Sequence, residues 1–420
     1  MKRKVKEIFS HPLISGSFLL IAGGVLANIF NFLFNLFMSR NLLIEDYGTL
    51  VSLIAIITLL SVPAGAVAPT IVTLAGNYFA ENNTDMVRAL YYKTFKMLLI
   101  IGVFLLIFFT LFSGIVGNFF NISDRILLPV TAIAILGSYI YTVNNSFFQA
   151  KLSFRLLTVL NVSSSISKVV FGAFLVLVGF GLGGAVVSYL LSYLIPIGIG
   201  IFFLKKVISN RSGKKSHISY RELVEFGIPS SVVIFCLNSL VTTDILLVKH
   251  LFSLKEAGIY AGLSLVGRVI FYITAPITTV MFPILIARFK NGQSYKNILY
   301  MALFMITGIS MLVTFFYFLF PKFTILFFLK KEEYLVVSQN LGMFGIFITL
   351  YSLISVFSYY FLSIKKTRIS ILLVGAAVLQ AVLIYFFHTS FQSIINISII
   401  VSTLLLIGFV IFYKISPASK

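Results

Sequence analysis

Long apolar runs separated by short polar segments dominate the pattern of hydrophobic and polar positions along the chain. Each run reaches about 20 residues, which an α-helix needs to cross the hydrocarbon core of a bilayer. Strands of a membrane barrel would instead give short segments of alternating polarity. The pattern therefore predicts an all-α polytopic membrane protein with twelve transmembrane helices. The predicted spans are residues 13–39, 47–78, 96–120, 127–150, 156–178, 182–204, 224–249, 257–287, 298–320, 337–362, 369–387 and 391–413.

The composition excludes several classes of protein. Apolar residues make up 59% of the 420 positions, and charged residues make up 10%. Soluble domains contain roughly 45–50% apolar and about 25% charged residues. A water-soluble enzyme or nucleic-acid-binding protein could not bury so much apolar surface. The net charge of +20 is therefore assigned mainly to membrane topology and to contact with anionic lipids.

The distribution of basic residues predicts the orientation of the chain. With the N-terminus in the cytoplasm, 23 Lys and Arg residues fall in cytoplasmic segments and 7 fall in outer segments. Basic residues concentrate on the cytoplasmic side of membrane proteins. We expect a multi-pass protein of a bacterial or archaeal plasma membrane with both termini in the cytoplasm. The first apolar run is too long for a signal peptide, and we interpret it as an uncleaved span.

The most basic loop lies in the middle of the chain, at Lys205–Arg221. It predicts an N-terminal six-helix bundle (1–204), a cytoplasmic linker (205–221) and a C-terminal six-helix bundle (222–420). A weak repeat supports this division, because "LIEDYGTL" at 43–50 resembles "LKEAGIYA" at 254–261. Each repeat begins a long span that prolines interrupt, Pro63 and Pro69 in one and Pro276 and Pro283 in the other. Two halves in the same orientation imply a pseudo-twofold axis along the membrane normal.

The sequence lacks the usual signatures of catalytic and cofactor sites. It contains neither a complete phosphate-binding loop nor an HExxH motif, and its four histidines are scattered. The single cysteine, Cys236, excludes an intrachain disulfide. No predicted loop exceeds about 20 residues, so there is no room for a soluble catalytic domain. We expect a protein that is not an enzyme and needs no metal or cofactor.

Polar side chains inside the predicted spans are the candidate functional residues of the first half. Asn28, Asn31 and Asn35 lie on one face of the first helix. They either form hydrogen bonds between helices or line a polar cavity. In the fourth helix Tyr141, Asn145 and Gln149 share one face. An aromatic ring beside two amides suits a sugar ligand. The alternative is a tyrosine at the membrane interface with amides that form hydrogen bonds between helices.

The fifth span contains a lysine near its middle. Asn161, Ser164 and Lys168 share one face of this helix. A lysine at the centre of a span costs about 2.5–3.5 kcal/mol on insertion scales. Such a position indicates either a water-filled functional cavity or a buried structural pair.

The seventh and eighth spans contain one residue of each charge, Asp244 and Arg268. Asp244 is the only carboxylate predicted in a helix interior. The two residues form either a buried ion pair or a functional site. In the second case Arg268 binds an anion, and Asp244 either orients the Arg268 side chain or exchanges protons. Arginine suits a phosphate ligand because its planar fork donates two parallel hydrogen bonds.

Two segments resemble a known family of transporters. "NFLFNLFMSRNLLIEDYGTL" at 31–50 and "TTDILLVKHLFSLKEAGIYAGLSLVGRVIFYITAPITTVMFP" at 242–283 are similar to the starts of the two halves of polysaccharide flippases. The second segment has the family's early Asp, Gly-x-Tyr and late Pro as Asp244, Gly258, Tyr260 and Pro283. The family is the O-antigen and polysaccharide flippases of the multidrug/oligosaccharidyl-lipid/polysaccharide (MOP) exporter superfamily.

This resemblance implies a fold and a function. The fold is two six-helix bundles in a V that opens alternately to either side. The function is movement of undecaprenyl-diphosphate-linked oligosaccharide to the outer leaflet, without ATP, for cell-surface polysaccharide synthesis. The pattern carries over Arg40, Asp244 and Arg268 as functional positions. Polysaccharide polymerases and glycosyltransferases are implied as partners.

Four alternatives are weaker. A multidrug cation antiporter of the same superfamily typically has a carboxylate inside the first half, and none is predicted here. A peptidoglycan-precursor flippase usually has fourteen helices. A flippase for a teichoic-acid precursor is a variant of this second alternative. A major-facilitator transporter has a basic motif after its second helix, where this chain reads "ENNTDMVRALYYK". A membrane glycosyltransferase, polymerase or ligase usually needs a larger outer loop than the one at 321–334.

Overall fold

The computed structural model describes residues 12–209, 228–290, 293–364 and 366–415, and within them the secondary structure is entirely helical. From residue 210 onward the predicted linker lies outside the described residues. Most helices begin or end within a few residues of the predicted spans. In chain order they are α1 Pro12–Asn41, α2 Ile44–Leu60, α3 Val62–Ala80, α4 Thr84–Leu111, α5 Ser113–Phe119, α6 Leu127–Ala150, α7 Phe154–Leu175, α8 Gly181–Ser209, α9 Ile228–Leu251, α10 Leu254–Gly267, α11 Val269–Lys290, α12 Lys296–Leu319, α13 Pro321–Leu329, α14 Leu341–Ser363, α15 Ile369–Phe386 and α16 Phe391–Ile415.

The described residues contain eleven apolar helical segments that are long enough to cross a membrane. One of them, Phe154–Lys205, has 52 residues, enough for two crossings of about 20 residues each. It is interrupted where Gly179 and Gly181 adopt φ values of +103° and +51°. Such left-handed conformations favour glycine and end a helix. The twelve predicted spans are therefore consistent with the structure.

The second and eighth spans are each divided into two helices. Between α2 and α3 the interruption lies at Ser61, two residues before Pro63. Proline is tolerated in the first turn of a helix but has no N–H to continue a preceding one. Between α10 and α11 the interruption lies at Arg268. The start of α10 is fixed by Ser253 and Glu256, which form a reciprocal capping box.

The predicted start of the third span is wrong. Helix α4 begins at Thr84 rather than at residue 96, because the Asn83 side chain accepts a hydrogen bond from the Met86 N–H. Arg88 and Lys93 therefore lie on a helix and not in a loop. Hydropathy locates only the part of a helix that lies in hydrocarbon, whereas a cap fixes the physical start. The segment predicted as the outer loop 321–334 likewise contains a short helix, α13.

The helices form two compact units. Unit 1 contains the residues up to Asn35 and Leu60–Ser231, and unit 2 contains Leu36–Leu59 and the residues from Val232 onward. Within unit 1, α6 packs against α3, α4 and α8. Within unit 2, α14 packs against α11, α12 and α16. Residues 36–59 thus belong with unit 2, and the division at a central linker stays a prediction.

Helices α2 and α10 of unit 2 begin in the two repeat segments, and they cross at two glycines. A methyl group added to Gly48 would lie 2.6 Å from the Gly258 nitrogen. One added to Gly258 would overlap the carbonyl oxygen of Ile44. Because backbone atoms are in contact on both sides, no side chain can move aside. Small residues permit this close approach of transmembrane helices.

We expect Gly258→Ala to destabilise unit 2, because the two helix backbones must separate. Overpacking of this kind costs about 1–3 kcal/mol, and the loss should appear as a lower unfolding temperature in detergent. Gly375→Ala is the matched control, since nothing lies within 4 Å of its added methyl group. Equal stability of the two variants would contradict the crossing.

Candidate functional site

The candidate site of unit 2 is built on α9, α10 and the junction between α10 and α11. Asp244 on α9 is completely buried, and its Oδ2 atom accepts a hydrogen bond of 2.8 Å from the Tyr260 hydroxyl. Arg268 stands at the junction, with its Nη2 atom 3.9 Å from Asp244 Oδ1. The Arg268 guanidinium also donates to the Val241 carbonyl. These contacts hold a cation beside a buried carboxylate.

The Arg268 guanidinium keeps hydrogen-bonding capacity. Its side chain is 20% exposed, whereas that of Asp244 is fully buried. The Arg268 Nε atom and the Asp244 Oδ1 atom are buried, and among the described residues neither has a hydrogen-bond partner. A planar guanidinium carries five N–H donors. Asp244 and the Val241 carbonyl therefore engage only part of a guanidinium whose side chain is still partly exposed.

Arg268 lines a cavity of about 260 Å³ in unit 2, here called the Arg268 cavity. Its walls combine hydroxyl, amide and aromatic groups with one positive charge. Such a mixture can bind an anion with a polar substituent. The lining residues are Ile54, Thr58, Ile234, Leu237, Asn238, Val241, Thr242, Arg268, Phe271, Tyr272, Ile348, Tyr351, Ser355 and Tyr359.

A second cavity, of about 250 Å³, adjoins the first and is here called the apolar cavity. The surface that its walls expose is predominantly apolar. It shares Phe271, Ser355 and Tyr359 with the Arg268 cavity. Its lining residues are Phe271, Ala275, Thr278, Thr279, Phe282, Ser355 and Tyr359.

Arg40 is engaged with the backbone of unit 2. Its guanidinium donates to the carbonyls of Phe328 and Phe327, at 2.7 and 3.0 Å, at the end of α13. Lys331 donates in return to the Leu42 carbonyl just beyond α1. Cations at helix C-termini interact favourably with the exposed carbonyls and the helix dipole. Burial lowers the pKa of the Lys331 ammonium, and the Glu333 carboxylate opposes this shift.

Unit 1 contains the second intramembrane cation. Lys168 on α7 donates a hydrogen bond of 2.7 Å to the Asn31 Oδ1 atom on α1. Its Nζ atom lies 4.3 Å from the centre of the Tyr189 ring and 6.0 Å from that of Phe34. Aromatic faces attract a cation at these distances. The environment of Lys168 is therefore an amide and two rings.

The remaining polar residues of unit 1 separate into bonded and exposed groups. Asn161 accepts hydrogen bonds from the Tyr141 hydroxyl and, at 3.1 Å, from the Asn145 amide. Asn35 donates at 2.9 Å to the Asn31 carbonyl of its own helix. Asn28 and Gln149 are exposed. The structure thus brings together Tyr141, Asn145 and Asn161.

Several contacts escape sequence reasoning. Lys249 is the last residue of the predicted seventh span and was counted with the outer basic residues. It lies near the end of α9, yet it is completely buried and donates to the Thr49 hydroxyl at 2.8 Å. Gln380 on α15 is also buried and donates to the Leu240 carbonyl at 3.1 Å and to the Ser398 hydroxyl at 2.9 Å. Polarity inside an apolar run signals Gln380. Nothing in the sequence signals Lys249.

Three solved structures share the fold of this chain. An inward-facing MATE multidrug resistance transporter has a TM-score of 0.73 and 15% identity, covering 93% of this chain and 94% of its own. The lipid II flippase MurJ, in an inward closed conformation, has a TM-score of 0.73 and 15% identity, covering 95% and 88%. A MOP superfamily transporter from Pyrococcus furiosus has a TM-score of 0.67 and 16% identity, covering 96% and 95%.

Sequence comparison identifies the family. A search of curated proteins finds no match. Residues 37–338 match the family described as "Polysaccharide biosynthesis protein", and this match spans more than half of the chain. The all-helical membrane fold and this match agree with the family resemblance of the two repeat segments. The chain belongs to the polysaccharide biosynthesis protein family and has the fold of the MOP superfamily transporters.

Proposed function

We propose that the protein moves a lipid-linked oligosaccharide, carried on undecaprenyl diphosphate, from the cytoplasmic to the outer leaflet. The observation that carries this proposal is the Arg268 cavity, in which a partly exposed guanidinium beside Asp244 lies among hydroxyl and aromatic groups. A diphosphate accepts such donors, and sugar hydroxyls suit the polar and aromatic walls. The protein would act as a transporter for polysaccharide synthesis, without catalytic chemistry of its own.

Lys168 would add a second cationic position in unit 1, with Tyr141, Asn145 and Asn161 as hydrogen-bonding groups for the sugar. Asn31 holds the Lys168 ammonium, so that a ligand anion could approach a cation that is already oriented. A positive balance inside the spans disfavours cationic drugs by Coulomb repulsion. This charge balance separates the proposal from a multidrug cation antiporter.

The membrane potential supports the proposed direction. A diphosphate carries about two negative charges, and each elementary charge gains about 2.3 kcal/mol per 100 mV on crossing the membrane. With the cell interior negative, outward movement is favoured by about 4–5 kcal/mol per 100 mV. The proposal places both termini and the linker 205–221 in the cytoplasm.

Reconstitution into liposomes tests the function. A fluorescent undecaprenyl-diphosphate disaccharide would be placed in both leaflets, and a membrane-impermeant quencher would then be added outside. We expect protein-containing vesicles to lose nearly all fluorescence, whereas protein-free vesicles should keep the half that faces inward. Quenching limited to half with active protein present, or uptake of an organic cation instead, would contradict the proposal.

A further inference from the structure

The apolar cavity lies next to the Arg268 cavity along α11. The two share the lining residues Phe271, Ser355 and Tyr359. Arg268 and Phe282 are the first and last lining residues from this part of the chain. They are 14 positions apart in the sequence, about 21 Å at the rise of an α-helix. A ligand with an anionic head and an extended substituent matches two neighbouring cavities of this kind.

The walls of the apolar cavity favour a hydrocarbon over a sugar. None of its seven lining residues carries a charge. The Phe282 and Tyr359 rings pack edge to face, with centroids 5.5 Å apart. The Thr279 hydroxyl donates to the Ala275 carbonyl of its own helix at 3.1 Å. Four of the seven lining residues carry hydroxyls, but the surface that the walls expose is predominantly apolar. The cavity therefore offers few partners for sugar hydroxyls.

We propose that the apolar cavity holds the first isoprene units of a polyprenyl diphosphate whose diphosphate is bound by Arg268. This inference rests on the proposed function and adds the group that recognises the lipid. Burial of each methylene group contributes favourable transfer free energy. The cavity would therefore select a polyprenyl carrier over a soluble diphosphate that has the same charge.

Binding of farnesyl diphosphate and of inorganic pyrophosphate to the protein in nanodiscs tests this inference, with empty nanodiscs subtracted. We expect the wild-type protein to bind farnesyl diphosphate at least about 100-fold more tightly than pyrophosphate, because only the former has apolar surface to bury. Ala275→Trp, which fills the cavity, should weaken farnesyl diphosphate binding at least about tenfold. Pyrophosphate binding should change less than about twofold.

Ile273→Trp is the matched control, because Ile273 lies on the same helix, is 47% exposed and lines neither cavity. It should leave the affinity for both probes unchanged. Equal losses of farnesyl diphosphate affinity in the two tryptophan variants would overturn the inference.

Thr278→Val keeps the side-chain volume and decides between a lipid and a sugar in the apolar cavity. With an isoprenoid occupant we expect farnesyl diphosphate to bind about two- to threefold more tightly, since a hydroxyl no longer has to be desolvated. Unchanged farnesyl diphosphate affinity combined with weaker binding of the complete glycosylated lipid would assign the cavity to the sugar and overturn the inference.

The wild-type measurements separate this inference from the function on which it rests. Pyrophosphate and farnesyl diphosphate binding of equal strength would overturn the lipid subsite and leave the anion site intact. Binding of neither probe would overturn the proposed function and the inference together.

Discussion

Replacement of Arg268 by alanine is expected to reduce lipid translocation at least about 100-fold. The guanidinium is the cation of the Arg268 cavity, and a charge-assisted contact with a phosphate contributes about 1.5–3 kcal/mol per hydrogen bond. Loss of two such bonds accounts for the expected effect. The initial rate of quenching in the liposome assay measures it.

Two further substitutions test the charge and the geometry of the cations. Arg268→Lys keeps the charge but loses the planar fork, so an intermediate rate is expected. Lys168→Met should also slow translocation, because it removes the cation of unit 1 but retains most of the side-chain volume. Arg155→Ala is the control, since Arg155 is exposed in the first turn of α7. Wild-type rates for both Arg268→Ala and Lys168→Met would refute cationic binding of the substrate.

Replacement of Asp244 by asparagine is expected to lower the free energy of unfolding by about 3 kcal/mol, because it leaves the partly buried Arg268 without its counter-charge. The measurement is chemical denaturation in detergent, with Arg268→Gln and the double variant completing a mutant cycle. The double variant should recover much of the loss if the pair is structural. The Asp244–Arg268 separation of 3.9 Å favours this outcome.

Proton coupling is the alternative role for Asp244. In that case Asp244→Asn would remain as stable as the wild-type protein, and translocation would lose its dependence on an imposed pH gradient. The Tyr260 hydroxyl donates to Asp244 Oδ2 and can also donate to an asparagine side-chain oxygen. Tyr260→Phe is therefore the control, because it measures how much this hydrogen bond alone contributes to the free energy of unfolding.

The positions of the intramembrane cations could be predicted, and the Asp244–Arg268 pair was one of two alternatives, but their other partners could not be predicted. Lys168 and Arg268 stand out because charge is costly inside an apolar span. The Tyr189 ring beside Lys168 and the Val241 carbonyl bound by Arg268 are distant in sequence from the cations that they contact. Such contacts depend on how helices pack, which a single sequence does not encode in any local pattern.

Arg40 is another cation whose contacts could not be predicted from the sequence. The family resemblance implied a functional cation at this position, and substrate binding by Arg40 stays a prediction. Its described contacts are the carbonyls at the end of α13, a helix that hydropathy did not predict. Helix α13 is too short to span the hydrocarbon core, so its length alone gave no signal.

The sequence by itself determined that the chain is a polytopic helical membrane protein with twelve spans, because span length and the cost of burying charge follow directly from the bilayer. It also located the intramembrane charges. Of the four prolines expected to interrupt spans, only Pro63 lies near a break, whereas Pro69, Pro276 and Pro283 lie inside helices. The tertiary structure alone decided that residues 36–59 pack with unit 2 and that Gly48 meets Gly258. It also decided that the Arg268 cavity shares three lining residues with an apolar cavity. Helix faces of similar hydropathy can pack in many ways, and only close steric fit and paired polar groups select one of them.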